Sequence, residues 1–177
     1  GMVMLKRLSD AQADGDRVLA VIAGSAVNQD GHTNGLTAPN GLSQQTVIRA
    51  ALVNAGVEPQ QISYVEAHGT GTALGDPIEV EALAAVLSGP RSPNQLVLLG
   101  SAKTNIGHLE GAAGVIGLIK TVLSLRHQQI PPLVHFRMLN PLMTLAGTPL
   151  IIPTDVHTWK SSDTPRYAGV SSFGWSG

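Results

Sequence analysis

Length, composition and charge set the first limits on this chain. Its 177 residues, of which 43% are hydrophobic and 13% charged, are enough for one domain with a buried core. Because about 25% charged residues is usual for a soluble domain, the low charge predicts that other protein covers part of this surface. The net charge of −1 gives no electrostatic argument for a nucleic acid or an anionic membrane as partner. The absence of cysteine excludes disulfides, thiolate metal ligands and a cysteine nucleophile within these residues.

No segment of the sequence predicts a membrane span. The most apolar long run, residues 111–125, is interrupted by Lys120 and is shorter than the ~20 residues that cross a bilayer. The N-terminus does not resemble a signal peptide, so we expect a cytoplasmic protein.

The N-terminal part of the chain is expected to begin with a β-hairpin. Residues 2–8 and 17–26 are rich in apolar side chains, and turn residues separate them. Residues 28–41 are typical of a loop because they are dense in Asn, Gly, Asp and Pro. A helix is predicted over 43–55, where apolar residues recur at helical spacing and Gly56 suits the position after the last helical residue.

The next segment has the pattern of a buried strand, a glycine-rich loop and a helix. Residues 62–67 are mostly apolar, as expected for a strand covered on both faces. His68 follows at the carboxyl end of that strand, where open α/β sheets place their sites. The loop Gly-Thr-Gly-Thr-Ala-Leu-Gly leads into a helix that is predicted to end near Ser88. Asp76 is expected as its N-cap, with Glu79 in a variant of the capping box.

A second unit repeats this plan. Residues 96–102 predict another buried strand, which Lys103 and His108 follow before a further helix. Because both strands should end at the same edge of one sheet, we expect the imidazoles of His68 and His108 to face each other across one cleft, with Lys103 close behind. The helix after His108 is glycine-rich and apolar almost all round, which predicts that it lies buried between layers.

Two closing strands are expected at residues 150–152 and 167–172. The histidines without a strand end or a glycine-rich loop beside them are interpreted as surface or loop residues; these are His32, His127, His135 and His157.

Other interpretations of the two histidine loops remain. A lone histidine is more often structural than catalytic. A metal site built from His68, His108, Asp76 and Glu79 is an alternative, but there is no HExxH motif or cysteine pair, and both carboxylates are already interpreted as helix caps. A phosphate cradle is another, although GTGTALGD is neither a Walker nor a dinucleotide-binding fingerprint.

The stretches HGTGTALGDPIEVEAL and KTNIGHLEGAAGVIGLIK resemble the β-ketoacyl synthases, most closely the ketosynthase domains of type I modular polyketide synthases. NQDGHTNGLTAPNG and VSSFGWSG also look like signatures of that family, so the resemblance covers the whole chain. It implies an α/β fold: the C-terminal half of a thiolase-type layered fold, with a mixed sheet and a buried glycine-rich helix. Residues 1–27 would then be the last strands of the N-terminal half, and the C-terminal half would begin at about residue 41.

The resemblance also implies an acyltransferase reaction, a decarboxylative Claisen condensation. His68 and His108 match the two catalytic histidines of the family, which promote malonyl decarboxylation and stabilise the developing enolate by donating from Nε2. Lys103 matches the lysine that organises the second histidine. Some members carry a glutamate where this chain has Gly117, so an additional partner for Lys103 is expected to be absent.

Four further residues are assigned to substrate binding by the same resemblance. Thr70 and Thr72 match threonines that hydrogen-bond the pantetheine arm, and Thr37 is expected along the same channel. The backbone N–H of Trp175 matches an oxyanion-hole donor, and its side chain occupies a gating position.

Partners and cofactors are likewise implied by the resemblance. No cofactor and no metal is expected to bind directly, because phosphopantetheine arrives on acyl carrier protein with the acyl or malonyl thioester. The nucleophilic cysteine is expected in an N-terminal half of the same domain, and the intact enzyme is expected to be a homodimer, with neither nucleic acid nor membrane as partner. The fragment is therefore expected to be inactive alone. The alternative is a non-catalytic carrier-binding or interaction module that retains the fold, with a metal-dependent hydrolase as a more distant possibility.

Overall fold

The computed structural model describes residues 1–31, 33, 39–92, 94–160 and 164–174. Its strands are β1 (Ile62–Glu66), β2 (Val97–Gly100), β3 (Gln129–Ile130), β4 (Leu150–Ile151), β5 (His157–Thr158) and β6 (Tyr167–Val170). The main sheet is parallel throughout and has the order β4-β2-β1-β6. A separate antiparallel pair joins β3 to β5. Strands of both directions therefore occur, and β1 and β2 lie side by side at the centre.

The helices of the described residues are α1 (Leu8–Ala13), α2 (Gly41–Ala55), α3 (Gly75–Leu87), α4 (Lys103–Ile106) and α5 (Ala113–His127), with 3₁₀ turns at Pro59–Gln61 and Glu110–Ala112. The side chain of Asn40 caps α2 by accepting from two backbone N–H groups of its first turn. Gly56 ends α2 at a φ of 62°, the left-handed conformation predicted for it. The predicted helices and the strands that bracket the two histidine loops are confirmed, with small differences at their ends.

One face of the main sheet packs against α2 and α3. Val65 of β1 and Val97 and Leu99 of β2 form a buried core with Leu83 and Leu87 of α3. Alternate residues of each strand point to the same face, which explains the spacing of these positions. This core holds α3 against the sheet, so that the first turn of α3 lies beside the end of β1.

The opposite face packs against α5 and the C-terminal segment. Tyr64, Leu98, Ile130 and Trp159 are buried together there, with Leu125 of α5 packed against them. Trp159 is anchored because its indole N–H donates to the hydroxyl of Ser63 at 3.0 Å. The sheet is thus covered on both faces, as the apolar strands predict.

The glycine-rich helix α5 is buried along one face within the described residues. Ala113, Gly117, Thr121 and Ser124 are buried, and their spacing of three to four residues is that of a single helix face. The other faces are only partly covered, and Leu123 is 45% exposed. Neither α5 nor any other helix in the described part of the chain is long and apolar enough to cross a membrane.

The expected N-terminal hairpin is wrong. Residues 2–8 and 17–26 belong to no strand ladder in the structure as described, and α1 lies between them where a turn was expected. Met2 and Met4 are both 91% exposed. Apolar composition alone does not make a strand, because a strand needs a neighbour for its backbone hydrogen bonds and none of the described residues provides one here. The assignment of residues 1–27 and of a boundary near 41 to two halves of a domain stays a prediction.

Candidate active site at the carboxyl edge of the sheet

The two histidine loops leave the sheet from neighbouring parallel strands. Glu66 at the end of β1 is in register with Gly100 at the end of β2. The backbone N–H of Ala67 still donates to the carbonyl of Gly100 at 2.8 Å, one residue beyond β1. His68 therefore leaves the sheet directly beside the residues that lead into α4.

The structure brings the two imidazoles together. The ring centroids of His68 and His108 are 5.3 Å apart, and the rings meet edge to face at an interplanar angle of 81°. His68 is half-buried, whereas His108 is exposed among the described residues. The repeated strand, loop and histidine plan therefore predicted the geometry of this cleft.

The tautomer of His68 follows from the partners of its Nδ1. That atom accepts from the backbone N–H of Phe173 at 3.3 Å, and the ammonium of Lys103 lies 3.5 Å from it. The ring of Phe173 also packs against the imidazole, with centroids 5.5 Å apart. Since Nδ1 faces two donors, the neutral ring carries its proton on Nε2. Lys103 thus contacts the first histidine, although the resemblance assigned it to the second.

His108 is held in the same tautomer by a different donor. Its Nδ1 accepts from the backbone N–H of Glu110 at 2.9 Å. Glu110 adopts a left-handed φ of 49°, which is unusual for a residue other than glycine. This local turn leaves Nε2 of His108 as the N–H donor, as at His68.

Burial and nearby cations keep His68 neutral. Burial, then the charge of Lys103, then His108 lower the pKa of His68 to about 4. Burial also lowers the pKa of Lys103, but Glu79, Glu66 and Asp76 act in the opposite direction. The site therefore combines a neutral imidazole with an ammonium that three carboxylates help to keep charged.

Two carboxylates of α3 hold the glycine-rich loop, which corrects the prediction that they cap the helix. Glu79 is 4% exposed and accepts from the backbone N–H groups of His68 at 2.7 Å and Gly69 at 2.9 Å. Asp76 accepts from the N–H of Gly71 at 3.0 Å. The residue at the N-cap is Leu74, without a side-chain cap. Both side chains turn back towards the loop because the loop N–H groups lie closer to the sheet and would otherwise have no partner.

The predicted substrate-binding threonines lie in this loop. The hydroxyls of Thr70 and Thr72 are 3.3 Å apart, and Thr72 also accepts from the N–H of Gly75 at 3.0 Å. Thr72 is exposed and Thr70 is half-buried. Thr37 and Trp175 lie outside the described residues.

The remaining histidines lie away from this cleft. His127, His135 and His157 are exposed, as expected, and His32 lies outside the described residues. Among the residues that the structure describes, no group of three His, Cys, Asp or Glu side chains is arranged to hold a metal ion.

Comparison with known proteins decides the family. Residues 19–137 match the family profile described as "Beta-ketoacyl synthase, C-terminal domain". The chain belongs to the β-ketoacyl synthase family.

Curated β-ketoacyl synthase relatives are mycobacterial polyketide synthases. The chain is 56% identical over 177 residues to one of the phenolphthiocerol/phthiocerol polyketide synthase polypeptides of Mycobacterium tuberculosis strain H37Rv, covering 100% of this chain and 9% of the relative. It is 53% identical to a second polypeptide of the same synthase and strain, of which it covers 11%. The chain thus spans about a tenth of the length of these relatives.

Solved ketosynthase structures confirm the thiolase-type α/β fold. The ketosynthase from module 6 of the bacillaene synthase from Bacillus subtilis 168 superposes with a TM-score of 0.91 at 45% identity, over 96% of this chain and 30% of that chain. The oxazolomycin ketosynthase domain from Streptomyces albus JA3453 gives a TM-score of 0.89 at 44% identity, over 97% of this chain and 30% of that chain.

Sequence reasoning missed three residues that shape the β-ketoacyl synthase site. Phe173 supplies the backbone donor to His68, and no sequence pattern predicted that β6 would bring it there. Glu79 was found but given the wrong partner. Glu66 was not singled out, although a carboxylate at the end of an otherwise buried strand is a usable signal, because such a group needs internal partners.

Proposed function

We propose that this chain supplies the histidine half of a ketosynthase site that performs decarboxylative Claisen condensation. One observation supports it above all: the rings of His68 and His108 lie 5.3 Å apart, and backbone donors occupy Nδ1 of both rings. Two neutral Nε2–H groups thereby serve one cleft. Paired, preorganised N–H donors of this kind stabilise an oxyanion that develops only in the transition state.

The reaction balances without an oxidant or a metal ion. The malonyl thioester loses its carboxylate as CO₂, and the electron pair of the broken C–C bond passes into the enolate. His68 and His108 donate hydrogen bonds to the enolate oxygen. The enolate carbon then attacks the thioester carbonyl of an acyl group held on a cysteine, and the thiolate of that cysteine leaves. The product is a β-ketoacyl thioester on the carrier.

The nucleophile and the carrier come from outside these residues. The chain has no cysteine, so we propose that a cysteine-bearing N-terminal half of the same domain completes the site. We assign the malonyl and acyl groups to the phosphopantetheine arm of acyl carrier protein, which Thr70 and Thr72 would meet along the loop, and the intact enzyme to a homodimer. The extended, exposed residues 2–5 are consistent with a surface that another half covers.

Release of CO₂ from malonyl-acyl carrier protein tests the proposal. The assay uses the intact ketosynthase domain that contains this chain, because the cysteine-bearing half is part of the proposed site. His68→Ala and His108→Ala are each expected to lower the rate by roughly 10²–10³-fold, the usual loss for one oxyanion-hole donor. His127→Ala is the matched control, since His127 is exposed at the end of α5 and away from the cleft.

The proposal also predicts how the two half-reactions separate. Replacing the external cysteine should abolish condensation but leave CO₂ release, because the histidine pair alone stabilises the enolate. Wild-type CO₂ release by both histidine variants would refute the proposed roles.

A further inference from the structure

Glu66 is a buried carboxylate two residues before His68. It is 2% exposed. Its Oε1 accepts from the backbone N–H of Ala102 at 2.5 Å, and its Oε2 accepts from the ammonium of Lys120 at 2.8 Å and from the hydroxyl of Tyr64 at 2.5 Å. A charge removed from water is tolerated only when it is paired and hydrogen-bonded, and all three partners meet that requirement.

Two glycines give this network its space. A Cβ at Gly100 would lie 2.4 Å from the hydroxyl oxygen of Tyr64 and 2.9 Å from Nζ of Lys120. A Cβ at Gly117 on α5 would lie 3.1 Å from Cγ of Glu66. The main sheet and α5 therefore both leave room for one buried anion and its partners.

The network connects the segments that hold the catalytic side chains. Ala102, whose N–H meets the carboxylate of Glu66, is the N-cap of α4 and directly precedes Lys103. The carbonyl oxygen of Glu66 accepts from the N–H of Ser171 at 2.9 Å, two residues before Phe173. Glu66 thus bonds to the strand ends on both sides of β1.

Glu66 also acts on Lys103 through space. The two residues line one small cavity, together with Gly117 and Ser171. The negative charge of Glu66 raises the pKa of Lys103 against the effect of burial, as do Glu79 and Asp76 from α3. Lys103 in turn contacts His68.

We propose that Glu66 is a positioning residue: it fixes the start of α4 through Ala102 and keeps the ammonium of Lys103 charged beside His68. This inference rests on the proposed decarboxylation. Glu66 touches neither imidazole in any contact of the described residues, so its effect passes through Lys103 and the backbone.

Three variants of the intact ketosynthase domain separate positioning from stability. Glu66→Gln keeps an acceptor for Ala102 but removes the charge. Lys120→Met removes the paired cation and leaves the carboxylate bonded to Ala102 and Tyr64. The double variant removes both charges, so no buried ion remains unpaired. Thermal unfolding, kcat and KM for CO₂ release, and an NMR titration of the Lys103 side chain are measured for each.

The expected pattern differs between the variants. Glu66→Gln should lower Tm and reduce kcat on the order of tenfold to a hundredfold, with KM nearly unchanged, since small displacements in a site have effects of that size. Lys120→Met should lower Tm but keep kcat near the wild-type value. The double variant should recover Tm without recovering kcat. Lys103 should lose its proton at a lower pH in both variants that lack Glu66.

A double variant that recovers both Tm and kcat would overturn the inference, because Glu66 would then be only one partner of a structural ion pair. An unchanged titration of Lys103 in Glu66→Gln would overturn it as well. If the wild-type domain released no CO₂, the proposed function would fail, whereas the titration of Lys103 would still decide for or against Glu66.

Discussion

Removing the carboxylate of Glu79 should release the loop that carries His68. Glu79 is buried and accepts from the backbone N–H groups of His68 and Gly69. Glu79→Ala leaves both donors without a partner, and each unsatisfied buried group costs about 1–3 kcal/mol, so the free energy of unfolding should fall by about 2–6 kcal/mol. Glu79→Gln keeps one acceptor oxygen and should lose about half as much.

Catalysis should suffer more than stability in these variants. A displacement of about 1 Å can cost on the order of a hundredfold in rate, and the backbone of His68 is itself one of the two groups that Glu79 holds. Denaturant unfolding and CO₂ release are measured at pH 8, above the pKa of about 7 to which burial raises Glu79. Glu81→Ala, an exposed carboxylate on the same helix, is the control and should stay within about 0.5 kcal/mol of wild type.

Wild-type stability and activity in Glu79→Ala would refute the role of Glu79 as the anchor of this loop. A loss of stability with full activity would show instead that His68 keeps its place without these two hydrogen bonds.

Two further predictions concern charge and packing. Lys103→Met should raise the pKa of His68, because the charge of Lys103 is the second cause of its low value after burial; an NMR titration that finds the same pKa would contradict this. In the wild type the folded-state pKa of about 4 lies below the ordinary 6.5, so the stability that this group contributes is present above pH 6.5 and is lost as the pH falls towards 4. Gly100→Ala should destabilise the domain by roughly 1–3 kcal/mol, since its Cβ would overlap Tyr64, whereas Gly111→Ala, with open space around it, should not; equal Tm values would refute the overlap.

The sequence predicted those parts of the fold that local patterns determine. Strands β1 and β2 are apolar runs of the right length, and each is followed by a glycine-bearing loop and a helix, so the meeting of His68 and His108 could be foreseen from parallel-sheet geometry alone. The C-terminal end of α2 was equally clear, because Gly56 is the residue type that the left-handed position favours.

Other features depend on contacts between distant residues, which no local pattern contains. The end of α5 is a left-handed Gln128, a residue type that carries no such signal. Residues 2–8 have the composition of a strand but no neighbour to pair with in the described chain. Glu79 and Asp76 sit where capping residues are common, and only the folded loop reveals that their acceptors serve Gly69 and Gly71 instead.

The tautomers of the two active-site histidines test the central claim most directly. In ¹⁵N-labelled ketosynthase domain at pH 8, long-range ¹H–¹⁵N NMR distinguishes Nδ1 from Nε2 as the protonated nitrogen. We predict a proton on Nε2 and none on Nδ1 for both His68 and His108, because backbone N–H groups of Phe173 and Glu110 occupy the Nδ1 positions. A proton on Nδ1 of either ring would remove one of the two donors from the cleft and contradict the proposed stabilisation of the enolate.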